Sequence, residues 1–67
     1  MSDIWTLVLR NRKGELLERI TGDEATLRQQ GAAVTTVRGQ LSWVARLTRN
    51  RLTVSECKRG VWKDVTP

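Results

Sequence analysis

Leu41-Ser42-Trp43-Val44-Ala45-Arg46-Leu47-Thr48 is the stretch on which the fold turns. Read with a period of two, it puts Leu41, Trp43, Ala45 and Leu47 on one face of a strand. Read with a helical period, Leu41, Val44 and Leu47 also line up, and a preceding helix would run on through them. Gly39, a suitable residue just past a helix C-terminus, and the β-branched and aromatic content favour the strand over 41–48. The last third then becomes a three-strand meander. Residues 51–57 follow an Arg49-Asn50 turn, with Leu52 and Val54 on one face. Residues 61–65 follow a Lys58-Arg59-Gly60 turn.

Working toward the N-terminus, Thr21-Gly22-Asp23-Glu24 is a helix-start signal. Thr21 with Glu24 matches a capping box, Asp23 is an alternative N-cap, and the acids suit the positive end of the helix dipole. Leu27, Gly31, Val34 and Val37 or Arg38 recur at helical spacing, which predicts a helix ending near Arg38. Gly31 and the Thr35-Thr36-Val37 run weaken it. Residues 4–10 read as a strand with Trp5, Leu7 and Leu9 on one face. Asn11-Arg12-Lys13-Gly14 is a turn, and residues 15–21 return as a strand with Leu16 and Ile20 on one face. A helix is the competing reading for 15–20. The expected architecture is α+β, order ββαβββ, a single domain over residues 1–67. One helix would cover one face of an antiparallel sheet and leave the other open to water or a partner.

Composition narrows the function. Twelve of 67 residues are Lys or Arg, seven are Asp or Glu, and the net charge is +5. Such a balance favours acidic partners: nucleic acid, alone or in a protein–nucleic-acid complex, an acidic protein face or anionic lipid. The alternatives to a binder of a host nucleoprotein complex are a small DNA- or RNA-binding regulator and a structural or oligomerisation module whose charge only keeps it in solution. With no His and a single Cys, there is no imidazole base and no Ser-His or Cys-His pair. A structural zinc site is excluded on the same ground. No phosphate-binding glycine motif occurs. The carboxylates Glu15, Glu18, Asp23 and Glu24 have structural roles on a strand or at a helix start. The expectation is a protein that is not an enzyme and takes no cofactor or metal. One Cys forms no internal disulfide, and Cys57 reads as a half-buried strand residue. No signal peptide or membrane-length apolar run is evident, which points to the cytoplasm and to no membrane partner.

The basic residues concentrate at turns. Following the strands up and down brings Arg12, Lys13, Arg38, Lys58 and Arg59 to one end of the sheet. Asp23 and Glu24 would meet Arg49 and Arg51 at the other end. Arg suits the gripping of phosphates, because its planar fork binds them bidentately and stays charged. Trp5 and Trp43 fall on core faces. Trp62 lies opposite Val61 and Val65, where it either packs at the sheet edge or stands on the open face to meet a base or a partner. The expected binding residues are therefore Arg12, Lys13, Arg38, Lys58, Arg59 and Trp62. An exposed edge strand at 61–65 or 4–10 could pair two copies into a homodimer.

The ending Leu52-Thr53-Val54-Ser55-Glu56-Cys57-Lys58-Arg59-Gly60-Val61-Trp62-Lys63-Asp64-Val65 resembles the C-terminal hairpin of many short bacteriophage and prophage proteins. There, a strand, a charged turn with Gly and a Trp-x-Asp strand close a small sheet. The predicted element order is also similar to that of a small type I-F anti-CRISPR protein. The resemblance covers about 14 residues and implies a phage-encoded binder of a host defence ribonucleoprotein. It carries over no functional residue.

Overall fold

The computed structural model describes residues 4–65. The elements run β1 (Trp5–Arg10), β2 (Leu16–Gly22), α1 (Glu24–Val34), β3 (Val44–Arg49), β4 (Leu52–Lys58) and β5 (Val61–Asp64). The five strands form one antiparallel sheet in the order β2-β1-β3-β4-β5. The α+β class and the ββαβββ order therefore hold. The helix crosses above β1 on its way from β2 to β3, so β1 is an interior strand. Of the two expected edges, only β5 is one; the other is β2, not residues 4–10.

Alternation supplies the core. Leu7, Leu9, Ala45, Leu47 and Cys57 point from β1, β3 and β4 toward Leu27 of the helix, and all six are buried. Each buried Leu contributes roughly 1.5–3 kcal/mol relative to exposure. Trp5, Ile20, Ala32, Val34 and Trp62 pack around them. Cys57 is fully buried rather than half-buried.

Three boundaries differ from the sequence reading. The helix stops at Val34, four residues short of Arg38, because threonine hydroxyls take its last carbonyls. Thr35 Oγ1 donates to Gly31 O at 2.8 Å and Thr36 Oγ1 to Ala33 O at 2.9 Å. Such back-bonding competes with continuation of the helix. The third strand is shorter, beginning at Val44 rather than Leu41. Residues 35–43 form turns instead, with Gln40 N bonded to Val37 O and Trp43 N to Gln40 O. Leu41 is exposed and Trp43 is half-buried, outside the buried cluster. In β2 a bulge breaks the expected Leu16/Ile20 face. Leu9 pairs with Glu18 but Arg10 with Leu16, leaving Leu17 extra, so Leu16 moves to the opposite side from Ile20.

The turns follow local chemistry. Asn11 Oδ1 accepts from the backbone N–H of Lys13 and of Glu15, both at 2.9 Å, and Gly14 has φ +83°. The β3–β4 connection is Asn50-Arg51 rather than Arg49-Asn50, with φ of 53° and 66°. The β4–β5 connection is Arg59-Gly60, with φ of 52° and 80°. Positive φ at both central residues is the hairpin turn that matches strand twist. At the helix start Asp23, not Thr21, is the N-cap. Its carboxylate accepts from Thr26 N at 3.0 Å and from Thr26 Oγ1 at 2.8 Å. Those bonds to the ionised form hold its pKa below the ordinary 3.8.

Candidate functional site

The strand register decides what the uncovered face carries. One row crosses all five strands, from Arg19 through Val8, Arg46 and Glu56 to Lys63. The next row holds Leu16, Arg10, Val44, Lys58 and Val61. Every strand thus presents one cation: Arg19, Arg10, Arg46, Lys58 and Lys63 in spatial order. They alternate between the two rows. At about 4.8 Å between strands the zigzag is about 19 Å wide, and its rows are about 7 Å apart. A third row is Thr21, Thr6, Thr48 and Thr53. Arg51 reaches back from its turn and lines a shallow groove of about 360 Å³ with Thr6, Val8, Arg19 and Thr48.

Among the described residues, six basic side chains therefore share the open face with one carboxylate, Glu56. That carboxylate is half-buried and braces two of them. Its Oε2 accepts from Arg46 Nε at 3.1 Å, and its Oε1 is 3.4 Å from Lys58 Nζ. Arg10 is oriented by its Nη1 donating to Gly14 O at 2.9 Å. The helix side has the opposite balance. Among the described residues, Arg28 and Arg49 lie on that side with Glu18, Asp23, Glu24 and Asp64. Arg28 bonds Glu24 at 2.9 Å and donates to Ser55 Oγ, whose hydroxyl donates to Asp64. Arg49 lies over the Trp5 ring. The expected pairing of Glu24 with the far-end arginines is replaced by Glu24–Arg28 within the helix.

Of the residues expected to bind, Arg12, Lys13, Arg38, Lys58 and Arg59 do lie at one end of the sheet. They are strung along its width rather than gathered. Arg12 and Lys13 sit on the β1–β2 turn, and Lys58 and Arg59 on the β4–β5 hairpin. The centres of these hairpins are about three strand spacings apart, roughly 15 Å. Arg38 belongs to the connection after α1. The Arg59-Gly60 turn is docked on the helix end, with Gly60 N donating to Thr35 Oγ1 at 2.9 Å. Lys58 joins this rim to the open face.

Trp62 is elsewhere. It faces the helix, donates from Nε1 to Arg28 O at 3.0 Å and lies beneath the Arg28 guanidinium. Its ring fills the space beside Gly31, where a Cβ would stand 2.6 Å from Cζ2. Of the two alternatives for Trp62, packing at the sheet edge holds and the open face does not, so it leaves the set of expected binding residues. Conversely, Arg10, Arg19, Arg46, Arg51 and Lys63 were missed as one surface. The available signal was parity: Arg46 lies between the buried Ala45 and Leu47, and Lys63 adjoins Trp62. Assembling them needed the strand order and two bulges, in β2 and in β4.

Among the described residues, no helix is long and apolar enough to cross a membrane, and no cluster of three potential metal ligands occurs. No family model, curated protein or solved structure matches this chain.

Proposed function

We propose that the chain is a non-enzymatic binding protein whose open sheet face engages the phosphates of nucleic acid, free or within a nucleoprotein complex. The observation that carries this reading is the zigzag of one cation per strand, extended at Lys58 by the rim of Arg12, Lys13, Arg38 and Arg59. Fixed guanidinium and ammonium groups at this density form an electrostatic footprint for a polyanion. In the phage setting implied by the hairpin resemblance, such a surface would occupy the nucleic-acid path of a host defence complex.

The test is fluorescence polarisation with labelled DNA across a salt series. Arg19→Gln/Arg46→Gln/Lys63→Gln should weaken binding and reduce the steepness of log K against log salt by about 2–3. Arg12→Gln/Lys13→Gln/Arg59→Gln should have the smaller effect. Affinity that ignores salt, or an unchanged triple variant of the face, would sink the proposal.

A further inference from the structure

This inference rests on the reading of the open face as a nucleic-acid surface and deepens it. We infer that the face takes double-stranded nucleic acid by its backbone, in preference to a single strand and without base sequence preference.

Non-specific single-strand surfaces combine a basic groove with aromatic rings on which the bases stack. This face has the charge and lacks the rings. The chain has three Trp and no Phe or Tyr. Trp5 and Trp62 both pack on the helix side, each beneath an arginine. Trp43 is half-buried in the turns before β3, outside the five strands that make the face. Arginine planes are the other stacking platform. Two of those on the face are already tied: Arg46 to Glu56 and Arg10 to Gly14 O.

What the face does offer suits a duplex backbone. A strip about 19 Å wide passes about eleven phosphates of a duplex, which carries one charge per 1.7 Å of axis. Its two rows of cations give contacts in two lines rather than along one. The threonine row adjoins the cations, and threonine hydroxyls are regular phosphate donors. Thr48 already spends its own on Thr6 O. Base reading needs an element that enters a groove and presents bidentate side chains. The face is built of strand backbone from edge to edge, its strands contain no Asn or Gln to read adenine, and the Arg46 and Arg10 forks that could read guanine are engaged by Glu56 and Gly14 O.

The experiment uses the full chain, a labelled 20-base-pair DNA duplex of mixed sequence, its two separate strands, and a second duplex of unrelated sequence. Polarisation is read between 50 and 200 mM salt. The duplex should bind about tenfold or more tighter than either strand. Its log–log salt slope should lie near −4, the value for four to five phosphates neutralised. The two duplexes should agree within about threefold. Glu56→Gln, which removes the carboxylate that engages Arg46 and Lys58 on the face, should tighten duplex binding severalfold. Intrinsic Trp fluorescence should stay unquenched on binding. Equal or tighter binding of a single strand, or strong Trp quenching by it, overturns this inference while leaving the nucleic-acid reading intact. If neither form binds, the nucleic-acid reading itself fails.

Discussion

The two faces of the sheet are built from alternate residues of the same five strands, yet they solve different problems. The helix side is apolar at its centre and bordered by paired charge, with Arg28 shared among Glu24, Ser55 and the Trp62 ring. The open side has Val8 and Val44 among cations that, among the described residues, outnumber the carboxylate of Glu56. Surface ion pairs contribute little to stability, whereas buried apolar groups and filled space contribute most of it. The difference teaches that stability resides on one face and charge on the other, so substitutions should separate the two.

The largest effect is expected at the seam between β5 and the helix. Trp62→Ala should cost roughly 3 kcal/mol, near the low end for a large aromatic because the ring is only partly buried. Gly31→Ala, which drives a methyl into the same ring, should cost about 1–3 kcal/mol. Both are read from chemical denaturation. If Trp62→Ala melts like the parent, the ring is not an anchor and its assignment to the helix side is wrong. By contrast, Arg19→Gln/Arg46→Gln/Lys63→Gln should change stability by less than about 1 kcal/mol, despite its effect on polyanion binding. A large loss of stability there would erase the division of labour.

A smaller effect of opposite sign is expected at Arg51. Its φ of 66° is a conformation that glycine adopts without a Cβ penalty. Arg51→Gly should therefore raise stability by about 0.5–1 kcal/mol, while removing one cation from the groove beside Arg19. Gain of stability together with weaker DNA binding would sharpen the contrast between the faces. A loss of stability would show that the Arg51 side chain holds its turn.

The smallest effect concerns the helix cap. Asp23 has its pKa lowered by Thr26, so its contribution is fully present above the ordinary carboxyl value of 3.8. It fades as pH falls through the lower folded-state pKa. The Tm difference between the parent and Asp23→Ala should thus be greatest at neutral pH and shrink below pH 3.8. A difference that grows on acidification would contradict the capping geometry.

The legibility of these features in the sequence follows from their range. Local signals were strong at Gly14 and at the helix start, where a turn or a cap is satisfied within four residues, although the pattern offered Thr21 before Asp23 as the cap. They were weaker at 35–43, where the sequence pattern extended the helix to Arg38. The threonine hydroxyls that end it bond only once the preceding turn exists. Trp62 illustrates the same limit. Its side of β5 was evident relative to Val61, but which side meets the helix depends on Gly31, half the chain away.

The sequence by itself determined the two-layer α+β architecture, the basic balance and the absence of imidazole chemistry. Alternation, turn residues and composition act locally or as sums. Only the tertiary structure decided that Arg19, Arg10, Arg46, Lys58 and Lys63 form one surface. Cross-strand neighbours are set by strand order and by the bulges at Leu17 and Val54. One residue of slip would have sent their side chains to the opposite face.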